Sequence, residues 1–410
     1  MNQSWKKQFA IVYAGQAFSL LGSAAVQFAV IWWLTVRTES AITLTVASIV
    51  SFLPNMLIGP FAGVWIDRYN RRTVMMAADG LVALSSVILG AAFLLTEAPP
   101  IWFIYGILFL RGVGNTFHSP AMQAAIPMLV PVEMLTRAGG WGNLISSITT
   151  MLGPVLGAVL MGAFPMAGIM LVDIAGAAFA IVCLLFVNIP DIPQSAEKPD
   201  FRRDFKQGVA GIRENKALVA VLPALVLSNI LWVPLGALYP LLVRTHFMGQ
   251  AWHNSVVELA FSAGLMASSL AMGMWGGTKR RFLMVAAAMG MQAATALVSG
   301  ALPPSGFWAF VVCCFFMGCS GTLANVPLMA YVQESTPPQV LGKVFSMYAA
   351  LTGLAMPMGL LVAGPVTEAV GADRWFFWSG AALAGVALLC YGMTRRYDKE
   401  TAAGAPPPEK

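Results

Sequence analysis

Four ionisable residues stand inside otherwise apolar stretches of this chain: Asp79, Arg111, Asp173 and Glu258. A charged side chain at the centre of a bilayer costs about 2.5–3.5 kcal/mol on insertion scales, so each must face a partner or a water-filled path. A carboxyl in such a place suits proton-driven transport. Burial disfavours its charged form, so it can hold a proton in one conformation and release it in another. Arg111 sits about ten residues into its segment, roughly 15 Å deep at 1.5 Å per residue. It reads either as a functional charge in a cavity or as half of a structural ion pair, for instance with Asp79. His118, further along the same segment "LFLRGVGNTFHSP", reads as a proton relay or as a satisfied imidazole at the helix's cytoplasmic end.

A second pattern lies nearer the N-terminus. In "AGQAFSLLGSAAVQF", Gln16, Ser19, Ser23 and Gln27 follow at steps of three, four and four, which put all four on one helix face. Such a stripe either lines a polar cavity or hydrogen-bonds to neighbouring helices. Asn115, Asn229, Trp232, Tyr239, Thr322 and Asn325 are further polar or amphipathic residues within apolar segments.

The elements that position these groups follow from composition. The chain has 410 residues, 58% hydrophobic and only 10% charged, with a mean hydropathy of +0.74. Soluble domains carry about 25% charged residues, so this is a polytopic membrane protein. The net charge of +6 is scattered in short clusters between apolar runs, which argues against a nucleic-acid surface. Five cysteines, Cys183, Cys313, Cys314, Cys319 and Cys390, all fall in apolar segments with no Cys-x-x-Cys pair. Neither a disulfide framework nor a metal site is expected, and no cofactor. The start, "MNQSWKKQFAIVYAGQ", mimics a signal peptide, but its apolar run reaches about Thr35, too long for a signal core. It reads as an uncleaved first span.

Apolar segments fall near 8–36, 41–66, 73–95, 101–122, 136–163, 166–189, 217–243, 254–276, 281–301, 306–330, 340–365 and 374–394. They are long and continuous rather than alternating, so they predict helices and not a barrel. The one long polar connector, Asp191–Lys216, divides the chain into a six-helix bundle at 1–190 and another at 217–397. The end, 398–410, reads as a disordered tail. With the N-terminus inside, all but Arg37, Arg244, Arg374 and the intraspan Arg111 of the 24 Lys and Arg residues are cytoplasmic. Both termini and the connector are therefore expected in the cytoplasm. The halves also echo each other. "GVWIDRYNRR" at Gly63 has a counterpart in "GMWGGTKRR" at Gly273, and "GNTFHSP" at Gly114 in "GTLANVP" at Gly321. Similar halves are the signature of a transporter that rocks around a midplane site.

The run Gly63, Asp67, Arg68, Arg71, Arg72 resembles the loop signature of the major facilitator superfamily, with Asn70 where a second glycine is usual. The resemblance implies a latch on the cytoplasmic side of one conformation; read alone, the basic loop sets topology. Its second copy has Gly277 in place of the Asp. The Arg111 segment resembles the family's fourth-span motif, tied there to proton coupling. Gly153, Pro154 and Gly157 resemble the fifth-span antiporter motif of drug exporters, with Ala158 in place of its final glycine. Longer stretches, among them "YAGQAFSL", "SFLPNMLIGPFAGVWIDR" and "GKVFSMYAALTGLAMPMGLLVAG", are similar to the macrolide-efflux branch of the drug:proton antiporters.

That resemblance implies an all-α fold of twelve transmembrane helices in two pseudo-symmetric bundles. It also implies proton-coupled export of a lipophilic, macrolide-like compound across the bacterial plasma membrane, by a chain expected to act as a monomer among membrane lipids. In that fold the first, fourth, seventh and tenth helices line the cavity. This assigns Gln16, Ser19, Ser23, Gln27, Asn115, Asn229, Trp232, Tyr239, Thr322 and Asn325 to it, and favours Glu258, on a cavity-bordering helix, over Asp79 and Asp173 as proton carrier. Twenty-four methionines and 24 phenylalanines suit a large lipophilic cargo. The rival cargo is an endogenous amphiphile such as a siderophore or lysolipid; the rival class is a receptor or scaffold without transport. No His-Glu-x-x-His, Gly-x-Ser-x-Gly or phosphate loop argues for an enzyme. ATP drive would need a partner chain.

Overall fold

The computed structural model describes residues 4–96, 98–131, 134–187, 189, 209–278, 280–336 and 338–402. Among them run twelve long helices: α1 Ser4–Thr38, α2 Ala41–Arg68, α3 Arg71–Leu95, α4 Ile101–Leu129, α5 Leu135–Ala163, α6 Met166–Leu185, α7 Lys216–Thr245, α8 Ala251–Trp275, α9 Arg281–Ala301, α10 Phe307–Ser335, α11 Pro338–Val370 and α12 Ala372–Ala402. No strand occurs among the described residues. In lipid each backbone polar group must be satisfied within its own segment, and apolar runs of this length do so as helices. Eleven are long and apolar enough to cross a membrane. The exception is α4, the helix that carries Arg111 and His118. The outward surface is greasy: Leu94 and Leu95 are 79% and 87% exposed, which suits lipid and not water.

Two boundaries differ notably from the sequence-based reading. Helix α4 does not stop near residue 122 but runs through Pro120 and Pro127 to Leu129. The polar cluster from Asn115 to Pro120 looks like a helix end, yet prolines are tolerated in membrane helices, where neighbours satisfy the freed carbonyls. His118 is therefore not at a helix end. Helix α12 continues past Asp398 to Ala402, because the Asp398 carboxylate accepts hydrogen bonds from the backbone N–H groups of Phe282 (2.9 Å) and Leu283 (2.6 Å), which open α9. The rest of the expected tail, and the connector as far as residue 208, lie outside the described residues.

The helices cluster into two compact units. The first comprises Met1–Thr38, Val46–Ala196 and Ala251–Ser255; the second comprises Glu39–Thr45, Glu197–Gln250 and Val256–Lys410. The first has an apolar core around Val12, Ile66, Met75, Ala121, Leu129 and Leu184. The second is built around Leu218, Val221, Phe282, Met289, Leu328 and Val344. The first turn of α2 belongs to the second unit for a specific reason. Glu368 of α11 accepts from Ala41 N (2.7 Å), Ser40 Oγ (3.1 Å) and Ile42 N (3.3 Å). A carboxylate there satisfies N–H groups that lack helical partners and complements the helix dipole.

Candidate functional site

Two of the four intraspan charges find each other. Arg111 pairs not with Asp79 but with Asp173 of α6, at 2.5 Å, with side chains 5% and 0% exposed. Small residues make the meeting possible. At Gly114, beside Arg111, a Cβ would stand 2.8 Å from Val82 of α3; at Gly22 of α1 it would stand 3.1 Å from the Val172 carbonyl of α6. The backbones of α3 and α4, and of α1 and α6, thus lie close enough for short side chains to bridge them. Ser86 donates to Asp173 Oδ2 (2.6 Å) and Ser23 to Oδ1 (2.5 Å). Arg111 also donates to Ser86 Oγ (2.8 Å) and to the Ser23 carbonyl (3.2 Å). Three donors thus converge on Asp173, which accepts from all of them.

Asp79 anchors a second tier. Gln16 Nε2 donates to its Oδ2 (3.1 Å) and Ser19 Oγ to its Oδ1 (3.1 Å). His118 Nε2 lies 2.6 Å from Gln16 Oε1 and 3.6 Å from Asp79 Oδ1. All four residues are buried. The tiers share a spacing: Gln16 to Ser23 on α1, Asp79 to Ser86 on α3, and Arg111 to His118 on α4 are each two turns apart, roughly 10 Å. Because α3 and α4 run in opposite senses, Asp79 comes level with His118 and Ser86 with Arg111. The polar stripe of α1 thus meets α3, α4 and α6 through hydrogen bonds inside the first unit. Its last member, Gln27, is half-buried.

The fifth-span glycines seat α5 on α1. A Cβ on Gly153 would stand 2.5 Å from the Ala24 methyl, and one on Gly157 2.7 Å from the Ala25 carbonyl and 2.8 Å from Phe28. Pro154 lies within the same uninterrupted helix. Sequence reasoning assigned Asn115 to a polar cavity but missed the residues that extend its face and those of α5. Asn143, Ser146, Ser147 and Thr150 of α5 are all exposed, as are Asn115, Ser119 and Gln123 of α4. Their steps of three and four put each set on one face. A face of amides and hydroxyls is ill suited to lipid and well suited to a wet path.

The loop signature divides. Asn70 caps α3, accepting from Arg72 N at 2.9 Å. Arg71 is buried, and Arg72 donates to the Leu185 carbonyl at 3.0 Å. Gly63, Asp67 and Arg68 lie in the last turns of α2, with side chains outside those described. The second copy is built otherwise: Gly276 and Gly277 have φ of +74° and +79°, a turn that an Asp at 277 would strain.

In the second unit Glu258 is half-buried, two turns into α8. Tyr239 is buried among Phe261, Phe310 and Phe376, its hydroxyl 2.9 Å from Met317 Sδ. Thr322 is buried, 3.3 Å from the Ser269 hydroxyl. Asn229 donates to its own helix at Leu225 O (2.9 Å), Trp232 is half-buried and Asn325 exposed.

A family model described as a transmembrane secretion effector, MFS_3, matches residues 4–407. The chain belongs to that family. It is a membrane transporter of the major facilitator type, not an enzyme. Macrolide efflux protein A of Streptococcus pyogenes is 36% identical over 389 residues, 94% of this chain and 96% of that one. A protein of the same description from Enterococcus faecalis is 35% identical over 76% of this chain and 97% of its own. Among solved structures, a bacterial homologue of the lysosomal transporter Spinster superposes with a TM-score of 0.70 at 11% identity, covering 100% of both chains. A bacterial homologue of ferroportin gives 0.70 at 15%, covering 97% of this chain and 100% of that one. These likenesses establish the all-helical transporter fold of the secretion effector family, here with twelve long helices.

Proposed function

We propose that this transporter exports large lipophilic compounds, macrolides first among them, across the bacterial plasma membrane, driven by the proton gradient. The observation that carries the reading is the match to macrolide efflux protein A, which runs nearly end to end on both chains. The exposed polar faces of α4 and α5 support it, since a membrane-embedded surface of that kind calls for water or cargo beside it. The intraspan acids Asp79, Asp173 and Glu258, with Arg111, are the proton-coupling candidates. Gly63, Asp67, Arg68, Arg71 and Arg72 form the cytoplasmic latch. The Lys/Arg bias places both termini in the cytoplasm.

The test is accumulation of labelled erythromycin in drug-sensitive bacteria expressing the chain, with and without a protonophore. Low accumulation that the protonophore reverses is expected. Unchanged accumulation, with the protein present in the membrane, would sink the macrolide reading and direct the search to endogenous amphiphiles. Low accumulation indifferent to the protonophore would sink the proton drive alone.

A further inference from the structure

We propose that the Asp79 tier, with His118 and the Gln16 amide between them, is where the first unit takes up one proton. This rests on the proton-driven reading above and assigns it a place.

The argument begins with charge. Asp79, Asp173, Arg111 and His118 form one buried cluster of two stacked tiers. With a neutral imidazole the cluster carries −1; one further proton brings it to zero. A net charge held out of water is costly, and a single proton removes it. Among the described side chains of the surrounding helices, no other charge is placed to do so. Lys6, Lys7 and Arg37 lie at the ends of α1, Arg71 and Arg72 open α3, and α6 carries no charge but Asp173. Of the other titratable groups there, Tyr13 donates to the Ala138 carbonyl and Cys183 lies against Gly15.

Within the cluster only one tier has room for the proton. Asp173 is held by Arg111 and two hydroxyls, whereas Asp79 has two neutral donors and a histidine 3.6 Å away. Gln16 then acts as the go-between. An amide oxygen facing His118 Nε2 requires N–H on that nitrogen, while its NH2 faces an ionised Asp79. Turned over, the amide offers NH2 to a bare Nε2 and its oxygen to a protonated Asp79. Both arrangements keep the amide hydrogen-bonded at each end; the second holds one proton more, on Asp79, and carries the imidazole proton on Nδ1 instead of Nε2. The side chain of Gln16 can therefore follow the proton and keep both of its own hydrogen bonds. Because Ser19 and Ser23 bind the two carboxylates from the same face of α1, a change at Asp79 is felt by the helix on which α5 is seated.

The test is infrared difference spectroscopy of the purified full chain between neutral and acid pH, with no substrate present. The wild type is expected to show a buried titration, seen in protonated-carboxyl or imidazole bands. Asp79→Asn and His118→Gln should each lose it, and Gln16→Leu should shift it. A wild-type spectrum without such a titration, or one that survives in full in both Asp79→Asn and His118→Gln, overturns the proposal. His118→Gln keeps a hydrogen-bonding side chain beside Gln16 and serves if Asp79→Asn fails to fold. A second arm reads erythromycin in proteoliposomes. The two variants should keep exchange without a gradient within about twofold and lose pH-driven accumulation. If the titration is present but the wild type shows no pH-driven accumulation, the exporter reading fails and the proton site stands.

Discussion

Arg111 and Asp173 stand 62 residues apart in sequence and share a 2.5 Å ion pair in the interior of the first unit. Removing one partner leaves a charge buried and unopposed, which costs about 3–5 kcal/mol, whereas replacing both with neutral side chains is far milder. Asp173→Asn and Arg111→Gln should therefore each lower the melting temperature of the detergent-purified protein sharply. The double variant should recover most of it. If the two losses simply add, the pair does not hold the unit together.

Gly153 faces Ala24 so closely that the methyl of an alanine would collide with it. Gly153→Ala should cost about 1–3 kcal/mol of overpacking and reduce drug export. Ala24→Gly in the same chain should restore both, because it removes the atom struck. Gly162→Ala, on the same helix but with open space around it, serves as the control and should be neutral or stabilising.

Much of this architecture was legible in the sequence, for physical reasons. Long apolar runs admit only helices in lipid, so the spans were plain. Their ends were not, because the prolines and polar residues of α4 resemble a stop signal in water and are harmless in a bundle. The α1 stripe was legible as a face but not as a destination: periodicity says which residues lie together, not what they meet. Ser19 and Ser23 meet Asp79 and Asp173, 60 and 150 residues away. One clue was available. Gln16 and Ser23, Asp79 and Ser86, and Arg111 and His118 share a two-turn spacing on three helices, as a pair of stacked tiers requires.

The exposed face of α5 makes no tertiary contact that would reward polarity. Ser146→Leu and Ser147→Leu should thus leave stability within roughly 0.5 kcal/mol, as at other surface sites. If that face borders the cargo's path, both should change the resistance profile across macrolides of different size. Wild-type resistance in both would remove the face from the path.

Tyr239 illustrates the opposite case. Its ring is core and its hydroxyl has only a thioether as partner. Tyr239→Phe should cost no more than about 1 kcal/mol and leave transport intact, while Tyr239→Ala should cost about 3–5 kcal/mol. Loss of export in a stable Tyr239→Phe protein would assign the hydroxyl a role in transport that its position in the core does not suggest.

The arginine buried in α4 has a consequence for how the protein is made. Arg111 leaves the ribosome 62 residues ahead of Asp173, about 3–12 s earlier at ordinary synthesis rates. During that interval α4 holds an arginine with no counter-charge, at a cost of about 2.5–3.5 kcal/mol on insertion scales. Its guanidinium is best served by water or the insertion machinery until α6 arrives. The first unit is thus released into the bilayer as a batch, and a defect in α6 should first appear as a failure of α4 to insert.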